Sequence, residues 1–189
     1  MLRKNPDERS VLADEWSTLL RWPCYIRGMK KQIVIFDLDG TAIDSAHRTP
    51  NNADGTLNLE AYIARHTPEN VARDTLLPIA RLIRAAYTSG AYVIILTARD
   101  MKECDYAYLA AHGIAAHKIM SRDRCKSVKH YRAADGKYKA NWIRPFLNLR
   151  QFKGAAVVMF DDAAPVKTEL RRIFPVMCAN KINRRLHNV

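Results

Sequence analysis

The sequence predicts an α/β fold, a central parallel sheet with helices on both faces, and three observations carry that expectation. Three short apolar runs rich in β-branched residues are each ended by polar residues, segments with helical spacing lie between them, and glycines punctuate the joints. Residues 31–36 (KQIVIF) form the first strand, closed by Asp37, Asp39 and Gly40. Residues 75–87 place Leu76, Leu77, Ile79, Ala80, Leu82, Ile83 and Ala86 on one helical face, and Gly90 is the expected C-terminal cap. A second strand follows at 91–96 (AYVIIL), then a helix at 101–112 before Gly113, a helix at 139–149, a third strand at 154–160 (GAAVVMF) and a helix at 165–173. Strands that alternate with helices in this way pair in parallel, because each crossover returns the chain to the same end of the sheet.

The first 28 residues stand apart. Val11, Leu12, Trp16, Leu19 and Leu20 have amphipathic helical spacing, and Pro23 and Gly28 interrupt it. A helical extension is therefore expected over residues 1–28, with the main domain over 29–189. With 189 residues, 48% apolar and 26% charged, the chain has the composition of a globular protein with a full core. No apolar run approaches the roughly 18 residues of a membrane span. The charged start MLRKNPDERS does not resemble a secretory signal, so a cytoplasmic protein is expected. The four cysteines (Cys24, Cys104, Cys125, Cys178) show no paired spacing and read as reduced and structural.

The net charge of +12 favours polyanionic partners, and it is concentrated. Residues 101–189 hold eighteen basic against seven acidic side chains; within them, residues 118–153 hold eleven basic against Asp123 and Asp135, a net of +9 in 36 residues. Nucleic acid ends or nucleotides are the partners this distribution suggests.

Ligands of an open parallel sheet bind beyond the carboxyl ends of its strands, and here those ends carry reactive groups. After the first strand come Asp37, Leu38, Asp39, Gly40 and Thr41; after the second, Thr97, Ala98 and Arg99; after the third, Asp161 and Asp162. Carboxylates converging on one edge raise each other's proton affinity unless a divalent cation lies among them, and an oxygen-only donor set favours magnesium. Asp37 is placed to attack phosphorus, Asp39 to act as general acid and then general base, and Thr97 to hydrogen-bond the transferring phosphoryl group. Asp37, Asp39, Asp161 and Asp162 are the candidate Mg2+ ligands. A lysine is needed to neutralise the growing charge; Lys126, Lys129, Lys137 and Lys139 are available, with Lys139 first and Lys137 next.

The segments I-V-I-F-D-L-D-G-T (33–41), I-I-L-T-A-R (94–99), a downstream lysine and V-V-M-F-D-D (157–162) resemble the four motifs of the haloacid dehalogenase superfamily of phosphatases. The resemblance spans residues 31 to about 173. It implies a Rossmann-like sheet, magnesium dependence and an aspartyl-phosphate route, with Asp37 as nucleophile, Asp39 as acid/base and Lys139 at a helix start. A narrower resemblance is to the 3′-phosphatase domain of phage-type polynucleotide kinase, through Arg48, Arg99, Arg122 and the Asp161-Asp162 pair. It implies substrate contacts from those arginines beside Gly40 and Thr41, although no kinase segment is present here.

Only about fifteen irregular residues (48–62) look like an insert, so the cap is expected to be minimal. An open site suits the end of a polymer, and the expectation is removal of 3′-phosphates from nucleic-acid ends. A nucleotidase or small-phosphoester phosphatase is the alternative within the same chemistry. A basic nucleic-acid-binding or host-interaction protein with a vestigial site is the alternative of another class.

Overall fold

The structure, a computed structural model, describes residues 31–187. The expected N-terminal extension lies outside the described residues, as does Cys24. Five strands make one parallel sheet: β1 (Gln32–Phe36), β4 (Tyr92–Leu96), β5 (Lys118–Met120), β6 (Ala156–Asp161) and β7 (Val176–Cys178), in the spatial order β5-β4-β1-β6-β7. Two further strands of two residues, β2 (Ile43–Asp44) and β3 (Thr75–Leu76), pair antiparallel beside it.

Alternation along the strands divides the core into two layers, because successive side chains of a strand point to opposite faces. Val34, Phe36, Val93, Ile95, Val158 and Phe160 face one side. They pack against α3 (Ile79–Thr88), α4 (Glu103–Ala111) and α8 (Ala179–His187), with the Phe36 and Phe160 rings stacked at 5.1 Å. Ile33, Ile35, Ile94, Leu96 and Met159 face the other side, against α6 (Asp135–Leu147) and α7 (Ala164–Leu170). The strands read as unbroken apolar runs because both faces are covered.

The segment between β2 and β3, residues 45–74, holds α1 (Leu59–Arg65) and α2 (Pro68–Val71), so the insert is longer than the fifteen or so residues expected and partly helical where an irregular loop was expected. The helix expected to begin at residue 75 begins at Ile79 instead. Thr75 and Leu76 are taken up by pairing with Asp44 and Ile43, and Pro78 precedes the first helical residue. Asn183 of α8 ties this junction to the loop after β1: its side chain accepts from Ile79 N at 2.9 Å and donates to the Thr41 carbonyl at 2.9 Å. Among the described residues no helix is long and apolar enough to cross a membrane.

Candidate active site

The parallel register puts the functional residues at one edge. Phe36 lies opposite Ile95 of β4 and Phe160 of β6, so Asp37, Thr97 and Asp161 all emerge at the carboxyl ends of the three central strands. Asp37 N donates to the Phe160 carbonyl at 3.1 Å, and Thr97 N to the Met120 carbonyl at 3.0 Å, which extends the ladder just past the strands.

Lys139 is drawn into this edge by α6. Its Nζ lies 2.7 Å from Asp37 Oδ1 and 2.8 Å from Asp161 Oδ2, and all three residues are buried. Lys137 is exposed on the same helix. The approach of α6 depends on Gly136: a Cβ there would sit 3.1 Å from Glu169 Cβ and 3.3 Å from the Pro165 carbonyl of α7. Burial disfavours the Lys139 ammonium, but the charges of Asp37 and Asp161 more than offset this and hold its pKa above the ordinary lysine value.

Asp162 completes an acidic cluster. Asp37, Asp161 and Asp162 each bring a carboxylate oxygen within 4.8 Å of the others. Asp161 Oδ1 is oriented by Ala163 N at 2.9 Å, and Thr41 Oγ1 donates to Asp162 at 3.4 Å. Gly40 makes this arrangement possible twice over: its φ of +67° is a left-handed conformation, and a Cβ would meet Asp162 Oδ2 at 2.6 Å. Burial raises the Asp37 pKa well above the usual carboxylate range, with Lys139 opposing and the Asp161 charge adding to the rise. Burial and the Asp161 charge raise Asp162 as well. Three carboxylate oxygens this close together are the donor set that a hard divalent cation fits.

The Asp39 carboxylate is not part of that cluster, contrary to the expectation that it ligates the metal. Arg99 pulls it aside: Arg99 Nε donates at 3.1 Å and Nη2 donates to the other oxygen, while Ser45 Oγ donates at 2.6 Å. Burial would raise the Asp39 pKa, but the Arg99 charge and these hydrogen bonds hold it at about 2.

Arg99 in turn is fixed by buried acids that sequence reasoning did not single out. Its Nη1 donates to Asp105 Oδ1 at 2.7 Å, its Nη2 lies 3.7 Å from Asp74 Oδ2, and its backbone N donates to Thr97 Oγ1 at 3.1 Å. Asp105 Oδ2 is 2.7 Å from His66 Nε2 and accepts from Lys102 N at 2.8 Å. Arg48, 1% exposed, makes a two-point pair with Asp74, both bonds 2.8 Å, and its Nη1 has no partner. Asp74, Asp105 and His66 had no usable signal, since each lies outside the strand-end segments. The only local sign is that Asp105 falls in the first turn of a helix, where an acid is ordinary.

Arg122 does not join the cluster. Its guanidinium donates to the carbonyls of Tyr131 and Ala133, the latter at 3.1 Å, pairs with Asp135 at 2.5 Å, and lies 4.5 Å over the Tyr138 ring. Only its backbone meets the site, through Arg122 N and the Arg99 carbonyl at 3.1 Å.

The sequence over residues 26–188 matches the family described as the bacteriophage T5 5′-deoxynucleotidase. The chain belongs to this family. Its name denotes hydrolysis of a phosphoric monoester. The 5′-deoxynucleotidase of Escherichia phage T5 is 30% identical over 151 residues, covering 69% of this chain and 59% of that protein. The chain thus spans less than two thirds of that relative.

Among solved structures, a chain of the Pnkp1/Rnl/Hen1 RNA repair complex superposes with a TM-score of 0.56 at 25% identity, over 80% of this chain and 43% of the other. A haloacid dehalogenase-like family hydrolase, SP0104 from Streptococcus pneumoniae, superposes at 0.57 with 14% identity, over 78% and 84%. The family member described here therefore has the haloacid dehalogenase fold, in agreement with the Rossmann-like sheet and the motif resemblance read from the sequence.

Proposed function

We infer that this chain is a magnesium-dependent phosphomonoesterase that hydrolyses deoxynucleoside 5′-monophosphates through an aspartyl-phosphate on Asp37. The observation that carries the chemistry is the buried Lys139 ammonium within 2.8 Å of both Asp37 and Asp161, with Asp39 two residues from Asp37 and held apart by Arg99. Asp37 attacks phosphorus, the bond from phosphorus to the nucleoside oxygen breaks, and Asp39 delivers the proton to that oxygen. Water then loses a proton to Asp39 and attacks the same phosphorus, which frees Asp37 and inorganic phosphate.

In the free site Arg99 keeps Asp39 ionised, with too low a proton affinity for either proton transfer. An incoming phosphoryl dianion beside it raises that affinity toward what the acid step needs. Asp37, Asp161 and Asp162 would hold a divalent cation, which would supply the positive charge that keeps Asp37 ionised and neutralises phosphoryl oxygens. Lys139 fixes the Asp37 carboxylate, Thr97 positions the Arg99 backbone, and Gly40 and Thr41 shape the loop against Asp162.

The substrate assignment is supported by family membership and by the name of the phage T5 relative. The reading of 3′-phosphorylated ends is favoured by the likeness to a chain of an RNA repair complex. Against it, its three arginines are all engaged within the chain, Arg48 by Asp74, Arg99 by Asp39 and Asp105, and Arg122 by Tyr131, Ala133 and Asp135. Phosphate release from deoxynucleoside 5′-monophosphates, 3′- and 5′-phosphorylated oligonucleotides and an aryl phosphate, with magnesium or chelator, separates the two. Mononucleotides should be the best substrates, and Asp37→Asn should lower turnover by on the order of 10^4-fold or more. Faster release from 3′-phosphorylated oligonucleotides would replace the nucleotidase reading, and near-normal turnover by Asp37→Asn would remove the covalent route.

A further inference from the structure

We propose that the segment between β5 and α6 is a docking surface for a nucleic-acid backbone, separate from the reaction centre and indifferent to the chemistry of the strand's end. The net +9 of residues 118–153 divides sharply in the fold. Lys139 is buried against Asp37 and Asp161, and Arg122 is bound to carbonyls and Asp135. Lys126, Lys129, Arg132 and Lys137 are all exposed, and among the described residues none of them has an ion-pair partner within 4.0 Å.

The acids of the region are engaged by neighbours, although Asp123 and Asp135 stay exposed. Asp123 accepts from Met101 N at 3.1 Å, Asp100 accepts from the Tyr131 hydroxyl at 3.0 Å, and Asp135 holds Arg122. Positive charge is thus presented to solvent in excess, since among the described residues Lys126, Lys129, Arg132 and Lys137 have no ion-pair partner while each nearby acid is already engaged.

Two further features suit a strand of nucleotides. The segment is anchored to the loop that carries Arg99, through Arg122 N and through Tyr131 to Asp100, so it borders the phosphoester site. Tyr131 is 41% exposed and stands among the cations with Arg124, which is stacked on Tyr106 at 5.3 Å. Flat rings among cations are the elements that bind single strands without sequence preference. An anionic membrane fits less well. Interfacial binding needs a long apolar helix face, whereas α5 (Val128–Tyr131) has four residues and one strongly exposed aliphatic side chain, Val128.

The test uses a single-stranded oligodeoxynucleotide without terminal phosphates, in chelator, so that neither hydrolysis nor end recognition contributes. Binding by the full chain is followed by fluorescence anisotropy as salt is raised. Four neutralised phosphates give a slope of log affinity against log salt of about −3 for a single strand. The triple variant Lys126→Ala, Lys129→Ala, Arg132→Ala should bring the slope to about −1 and weaken low-salt binding at least tenfold, with an unchanged circular dichroism spectrum and unchanged mononucleotide hydrolysis. Absence of binding by the native chain at low salt, a variant slope equal to the native one, or preferential capture by phosphatidylserine vesicles would overturn the proposal. So would loss of mononucleotide hydrolysis by the triple variant, since that would place these cations in the reaction centre. Because the binding arm reads no catalysis, its outcome is independent of whether the substrate assignment stands.

Discussion

Replacing Lys139 by methionine removes the one fixed positive charge from the acidic cluster while keeping the side chain's length and apolar stem. Lys139 is 2% exposed, and its Nζ is 2.7 Å from one carboxylate and 2.8 Å from another. Breaking a buried ion pair by removing one partner costs about 3–5 kcal/mol, because the remaining charge is left without compensation. For a chain of this size, each 1 kcal/mol moves the melting temperature by roughly 2–4 °C, so the expected loss is about 6–20 °C in chelator. The same variant should regain part of that loss in millimolar magnesium, and regain more than the native protein gains, because a bound divalent cation returns positive charge to Asp37, Asp161 and Asp162. Differential scanning calorimetry of both proteins, with magnesium and with chelator, reads the four melting temperatures. A variant that melts within about 2 °C of the native protein in chelator would show that the ammonium is not what holds these carboxylates together.

Two further expectations concern the loop and its arginine. Gly40→Ala combines a positive φ with a Cβ 2.6 Å from Asp162 Oδ2; the backbone alone costs roughly 1–2 kcal/mol, and displacement of Asp162 should weaken magnesium activation in a phosphate-release titration. An unchanged magnesium requirement would detach Asp162 from the cation site. Arg99→Gln should alter the acid limb of stability: Asp39, lowered to about 2, contributes stability that is present above the ordinary carboxylate pKa and lost as pH falls through about 2. Asp105, lowered by its hydrogen bond to His66 and the charge of Arg99 against the opposing effect of burial, adds to the same limb. Melting temperature followed from about pH 5 to pH 2 should therefore fall less in the variant than in the native protein, and parallel curves would remove Arg99 as the cause.

The three central strands were legible because burial on both faces makes them continuous apolar runs, and the observed Gln32–Phe36, Tyr92–Leu96 and Ala156–Asp161 lie within a residue or two of the expected bounds. The edge strands Lys118–Met120 and Val176–Cys178 were not. Each has three residues, too few to show a period, and each is bonded to one neighbouring strand only. The strand-end position of Asp37, Thr97 and Asp161 followed directly from the runs before them. Which lysine reaches them could be ranked, Lys139 before Lys137, but not fixed: both lie on α6, and its packing on α7 at Gly136 buries Lys139 and leaves Lys137 exposed. The aim of Arg122 and the withdrawal of Asp39 were equally invisible, since both depend on partners that the fold brings near, Tyr131, Ala133 and Asp135 for Arg122. Asp39 is redirected by Arg99, sixty positions on, and Arg99 is aimed by Asp105 and Asp74 together.

The two charged groups at the sheet edge have different balances, and the difference says what each is for. Arg48 and Arg99 face Asp39, Asp74 and Asp105, and the Asp74 and Asp105 oxygens are met by guanidinium, imidazole or backbone groups at 2.7–2.8 Å. Such a network is nearly complete within the chain, so it serves as a rigid support that decides where Asp39 points. Among the described residues, Lys139 is the one ion-pair partner of Asp37, Asp161 and Asp162 within 4.0 Å, three carboxylates against one ammonium, with the buried Lys167 ammonium donating only to the Asp162 carbonyl beside them. Burial first, and the Asp161 charge after it, raise the proton affinities of Asp37 and Asp162. A chain with a net charge of +12 has cations enough to balance these carboxylates from within, yet among the described residues most of them lie at the surface. A second fixed ammonium would neutralise the carboxylates permanently and would carry no vacant coordination for a phosphoryl oxygen, whereas a divalent cation supplies the missing two charges and can bind substrate as well. The unbalanced cluster, and not the balanced one, is therefore the part of the edge built to receive something from outside the chain.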